Sequence, residues 1–158
     1  MAAEADGAAT DSQPFVPILT VMVDYGNAPF LWRVDAPEEA GVGGNICDGT
    51  GWDEGCLMSE GLWRKFADWA IEFDRTSFYL DDFDASGWDW MAFHERGLQL
   101  SHWLKEEVGN AYRVVYCKPF EDPDHRTDER TEVLADGALS KVQGCFAKQI
   151  QRPRSSSG

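Results

Sequence analysis

The chain has 158 residues, enough for one domain with flexible ends. It carries 28 acids against 14 bases, a net charge of −14, which repels phosphate and disfavours nucleic acid and anionic membrane surfaces as direct ligands. No apolar run approaches the ~18–20 residues of a membrane span, and the start Met1-Ala-Ala-Glu-Ala-Asp has neither the basic nor the apolar region of a signal peptide. The expectation is therefore a cytoplasmic protein.

Residues 1–14 are small and polar and read as a disordered arm. Phe15 to Val23 is a strongly apolar strand whose pairing should begin near Ile18, because Pro17 offers no donor. Asp24-Tyr25-Gly26-Asn27-Ala28-Pro29 is a turn, and Phe30-Leu31-Trp32-Arg33-Val34 completes an antiparallel hairpin. Residues 35–58 form a long Gly-rich loop carrying Cys47, Asp48, Trp52, Asp53, Glu54 and Cys56. A connection of that length is read as a binding loop or an insertion.

Ser59 is a good N-cap. Leu62, Trp63, Phe66, Trp69, Ala70 and Phe73 then share one helical face, and the helix should end near Asp74 or Arg75. An acidic connection at 76–87 holds Asp81, Asp82 and Asp84. Ser86 is placed to cap a second helix, with Asp89 in its first turn. Trp90, Phe93, His94, Gly97, Leu98, Ser101, Leu104 and Val108 form its apolar stripe, on which Gly97 and Ser101 would admit a close neighbour. Gly109 is the stop.

Ala111 to Cys117 is a third strand. Residues 118–158 form a polar C-terminal extension in which Leu139, Val142, Phe146 and Ile150 follow a 3-4-4 spacing that suggests a short helix. The domain is thus 15–117, with order β-β-α-α-β: a two-layer α+β fold whose small, antiparallel-containing sheet carries both helices on one face.

The charge is unevenly placed. Residues 1–117 hold 21 acids and 7 bases, whereas 118–158 hold 7 of each. A field of this kind serves solubility or speeds encounter with a basic partner. The Asp81–Asp89 cluster has hard oxygen ligands suited to Mg²⁺ or Ca²⁺, but lacks the calcium-loop pattern. A solvated inter-helix loop is the plainer reading, a docking patch for basic side chains the intermediate one. Cys47, Cys56, Cys117 and Cys145 make no zinc spacing; free thiols are expected, and a Cys47–Cys56 disulfide stays open on spacing alone. His94 reads as a hydrogen-bonded core or core-edge residue, against the alternative of a Cys117/His94 nucleophilic pair. No catalytic residues, metal ligands or cofactor are assigned. Of the seven tryptophans, Trp32, Trp63, Trp69 and Trp90 fit core faces, whereas Trp52, Trp88 and Trp103 do not. Tryptophan amid acids is the composition of an interface for a basic partner. The candidate partner-binding residues are therefore Trp52, Asp53 and Glu54, with Asp81, Asp82 and Asp84.

Several pieces also carry a resemblance: the strand ending Asp24-Tyr25-Gly26, then Pro29-Phe30-Leu31-Trp32, Leu57-Met58-Ser59-Glu60-Gly61-Leu62, Gly97-Leu98-Gln99-Leu100, Leu104-Lys105-Glu106-Glu107-Val108-Gly109, and the strand Tyr112–Tyr116. Over residues 18–117 this plan resembles small acidic immunity-like proteins of actinobacterial polymorphic toxin systems, although the long 35–58 loop and the tail depart from it. The resemblance implies a non-enzymatic protein that neutralises a basic toxin domain. A regulatory or scaffold module, a homodimer, and a metal-dependent enzyme built on Asp81–Asp89 are the alternatives.

Overall fold

A computed structural model describes residues 14–26, 29–37, 42–47, 51–76, 85–119, 121–123 and 130–142. Its elements are β1 (Ile18–Val21), β2 (Trp32–Val34), β3 (Gly44–Asn45), α1 (Glu60–Asp74), α2 (Trp90–Val108), β4 (Arg113–Cys117), β5 (Arg130–Val133) and β6 (Leu139–Val142), with 3₁₀ turns at Ala85–Gly87 and Gly109–Ala111. The strands form one mixed six-stranded sheet in the order β3-β2-β1-β4-β5-β6. Strand β1 pairs antiparallel with β2 and parallel with β4. The parallel pair requires the long crossover that both helices supply.

The α+β class and the β-β-α-α-β frame are as the sequence reading has them, and the first strand begins at Ile18, after Pro17. Three strands are additional. Strand β3 lies inside the expected 35–58 loop and pairs with β2; β5 and β6 continue the sheet beyond Cys117. Leu139–Val142 is therefore an edge strand rather than the start of a helix. The 3-4-4 spacing misleads there because Leu139 and Val142 belong to different faces of a hairpin, registered by Val133↔Leu139 and Arg130↔Val142. Phe146, Ile150 and most of the expected N-terminal arm lie outside the described residues.

Helix α1 begins as its sequence dictates: Ser59 Oγ accepts from the Leu62 N–H at 3.3 Å. That cap is itself held from the far end of α2, where the Glu107 carboxylate accepts from the Ser59 N–H and hydroxyl, both at 2.7 Å. Helix α2 is capped by Asp89, whose Oδ1 accepts from the Ala92 N–H at 3.1 Å, so the cap expected at Ser86 falls three residues later. Gly109, at φ 63°, stops α2. The buried Lys105 donates to the carbonyls of Gly109 (2.9 Å) and Tyr112 (2.8 Å), satisfying the helix end.

Strand register divides the core. Leu19 and Val21 pair with Val114 and Tyr116 and share the helix-facing side; Thr20, Val115 and Cys117 take the other side. Helix α2 lies on β4 and β5, and α1 lies against α2. Phe66, Phe73, Phe93 and Leu104 are almost completely buried between them. Trp69 stacks on Phe93 (4.6 Å between centroids), and Trp88 meets both Phe93 and Trp90 at 4.8 Å. Trp88, which the helix pattern leaves outside the core, is thus part of its aromatic cluster. Helix α2 packs tightly at Gly97: a Cβ there would stand 2.4 Å from the Tyr116 ring and 2.6 Å from that of Trp69. Ser101, one turn on, is fully buried and donates to the Gly97 carbonyl at 2.8 Å. Among the described residues no helix is long and apolar enough to cross a membrane.

Candidate functional site

Residues 42–47 and 51–58 lie along the β2–β3 edge of the sheet. Gly43, at φ 82°, leads into β3 in the left-handed region. A Cβ at Gly43 would fall 1.8 Å from the Arg33 carbonyl oxygen, so only glycine lets the chain approach β2 here. Asn45 then organises the first half of the edge: its side-chain oxygen accepts from the Leu31 N–H (3.0 Å) and the Cys47 N–H (3.1 Å).

The second half carries the predicted contact residues. Trp52 is half-buried, and its indole N–H donates to the Met58 carbonyl at 2.9 Å. Asp53 and Glu54 are exposed. Asp53 Oδ1 accepts from the Gly55 N–H at 2.7 Å, closing a tight turn that leaves Glu54 at its tip. Trp52, Asp53 and Glu54 therefore form one surface feature with a fixed indole. Asp81, Asp82 and Asp84, the second predicted cluster, lie outside the described residues. Asp89, the last member of that acidic run, is occupied as the α2 cap. Among the described residues no group of three or more His, Cys, Asp or Glu side chains is placed to hold a metal ion.

Most of the described arginines are committed within the fold. Arg33 pairs with Asp35 (2.7 Å), Arg64 with Glu60 (2.8 Å) and Arg96 with Glu72. Arg113 holds Glu132 through two hydrogen bonds at 2.8 and 3.1 Å; that pairing raises its pKa further. By contrast, Asp53, Glu54, Asp68 and Glu95 form no ion pair with another described residue.

One polar constellation lies beyond what sequence reasoning assembles. His94 Nδ1 lies 2.6 Å from the Tyr116 hydroxyl, and Nε2 lies 2.6 Å from Asp122 Oδ2. The His94 side chain is 12% exposed and that of Asp122 3%. Burial, then the Cys117 thiol and the Asp122 carboxylate, push the Tyr116 phenol well above its ordinary pKa, so it stays protonated. With Tyr116 donating to Nδ1, the Nε2–H donates to Asp122. The chain of bonds ties the 121–123 turn to α2 and β4. Glu121, next to Asp122, lies beside Tyr25, whose phenol is likewise raised, chiefly by burial and then by that carboxylate. His94 is thus a hydrogen-bonded core-edge histidine, as its place on the apolar stripe suggests. The Cys117/His94 pair is not formed, because Tyr116 faces His94 and its chain neighbour Cys117 takes the opposite side of the sheet. Asp122 gives no signal in the sequence because it lies in a polar run with no periodicity. Cys47, Cys56 and Cys117 are thiols, so no Cys47–Cys56 disulfide is present.

Comparison with family models, with curated proteins and with solved structures finds no match for this chain.

Proposed function

We propose that the protein is a non-enzymatic binding module for a basic protein, and more specifically an immunity-type protein that neutralises a toxin domain in the cytoplasm. The observation that carries the reading is the charge arrangement: Arg33, Arg64, Arg96 and Arg113 are taken up in ion pairs at the surface, while carboxylates at 53, 54, 68 and 95 face solvent without an ion pair to another described residue. A surface of this kind attracts a cationic partner over a distance set by salt, and fixes its orientation on contact. Trp52 supplies an anchor at the site, since its ring is held by the Met58 carbonyl and loses little freedom on binding. The His94 network supports a structural rather than a catalytic role, because its hydroxyl and its carboxylate are both buried and bonded to the imidazole. The narrower toxin reading rests on the resemblance of the 18–117 plan to immunity-like proteins.

The test is affinity capture from the native host at low and at moderate salt, with the wild-type chain and with Asp53→Lys/Glu54→Lys. One basic protein, weakened by salt and lost with the double reversal, is expected. If that protein is toxic when expressed alone and tolerated with this chain, the immunity reading stands. Equal capture by wild type and double variant at both salts defeats the proposed surface, and a non-toxic partner moves the reading to a regulatory or scaffold module.

A further inference from the structure

A groove runs between α1 and α2, a cavity of about 400 Å³ with exposed residues at its rim. Trp69 and Leu100, both buried, give it an apolar floor. Trp103 forms part of its wall and is 38% exposed. A cation already sits on that ring: Lys65 Nζ lies 5.6 Å from its centroid. Lys65 forms no ion pair with another described residue, so a ring rather than a carboxylate holds its ammonium group. Two acids border the groove. Glu72 pairs with Arg96, whereas Asp68 forms no ion pair with another described residue.

On the reading of a basic protein partner, on which this step rests, we propose that the groove is the seat of an arginine side chain of that partner, and that Lys65 fills the seat until the arginine displaces it. The face of a tryptophan ring attracts a cation through its quadrupole. A guanidinium is planar and more weakly hydrated than an ammonium, so it stacks on the ring more favourably than the group it replaces. The apolar stem of the arginine covers Trp69 and Leu100, as long cationic side chains do on apolar surface. With Lys65 moved into solvent and Glu72 held by Arg96, Asp68 leaves the lining with one net negative charge, the complement of one incoming cation. The groove is also tied to the Trp52 turn. Trp103 lies one helical turn before Glu107, whose carboxylate holds Ser59, and Ser59 follows the Met58 carbonyl that receives the Trp52 indole.

The experiment titrates the isotopically labelled full-length chain with a capped peptide of three Gly-Arg repeats and follows the Trp103 indole and Asp68 amide signals by NMR. The arginine peptide is expected to shift both to saturation. The matching Gly-citrulline peptide, of the same shape without the charge, leaves them in place. Lys65→Met removes the internal competitor and tightens binding by about two- to fivefold, the range of an exposed contact between a cation and a ring. Arg64→Met, an equal charge change one residue away, tightens it less. Trp103→Leu weakens binding, read at Asp68, by a similar factor; should that variant fail to fold, Lys65→Met at its exposed position decides. Asp53→Lys/Glu54→Lys still lets the peptide shift Trp103, so a failure of the Trp52 turn as a contact and a failure of the groove are told apart. The proposal is overturned if the Trp103 indole does not move, if the citrulline peptide moves it as far, or if Lys65→Met binds no more tightly than Arg64→Met.

Discussion

Around Phe73 the fold is held by rings in contact: Tyr25 stacks on Phe73 at 4.8 Å, and Phe93 and Trp88 approach it at 6.0 and 6.3 Å. Around Asn45 and Trp52 it is held by a few directed hydrogen bonds between segments that are half-exposed. The first arrangement is non-directional and resists loss of any volume; the second fixes geometry cheaply and leaves polar groups at the surface. The helix-covered centre thereby carries stability, and the recognition proposed above falls to another part of the same sheet, the β2–β3 edge.

Substitutions in the centre should be the most damaging. Phe73→Ala opens a cavity in the aromatic cluster and should cost about 3–5 kcal/mol in denaturant unfolding. Gly97→Ala makes the opposite error. Its methyl meets the rings of Tyr116 and Trp69 at 2.4 and 2.6 Å, and rings packed on both sides have little room to give. Overpacking of this kind should cost about 1–3 kcal/mol. An unchanged midpoint in either variant would mean that the centre is not the stabilising region.

The centre also has a pH signature. Tyr116 and Tyr25 both titrate higher in the fold than in the unfolded chain. A raised pKa contributes stability that is complete below the unfolded value, about 10 for tyrosine, and is lost as pH rises toward the folded value. Unfolding measured above pH 10 should therefore show stability falling with pH, and Tyr116→Phe should fall less steeply. At neutral pH that variant forfeits one hydrogen bond to His94, worth about 0.5–1.5 kcal/mol. A wild-type slope no steeper than the variant's would contradict the raised phenol.

At the edge, Asn45→Ala removes the acceptor shared by the Leu31 and Cys47 amides. The cost should be about 1 kcal/mol, since both amides then reach water in part. Hydrogen exchange should quicken at those two amides and stay unchanged in β4. Faster exchange throughout the sheet would show that edge and centre unfold together.

Much of this division is legible in the sequence. Short apolar runs locate β1 and β4, a 3.6-residue apolar pattern locates both helices, and Ser59 and Gly109 mark helix ends that the structure retains. What escapes is what depends on long-range pairing. Gly44–Asn45 has no strand pattern and is a strand only because β2 offers an open edge. Arg130–Val133 sits in a charged run; its Arg130 and Glu132 share one face of the sheet, where Glu132 meets Arg113. The Trp52 turn is visible by composition alone, whereas the His94–Asp122 contact spans 28 residues and leaves no local trace.

The finest separation of the two regions comes from the tip of that turn. Glu54 is exposed and makes no hydrogen bond or ion pair with another described residue, so Glu54→Lys should change stability by less than about 0.5 kcal/mol. Relief of self-repulsion in a chain of net charge −14 works in the stabilising direction, and added salt should erase that part. The same substitution should slow association with a basic partner, most strongly at low salt, because a rim charge acts mainly on the encounter rate. A variant of unchanged stability with a slower, salt-sensitive on-rate places recognition at the edge. A destabilised variant with an unchanged on-rate would instead make the turn part of the scaffold.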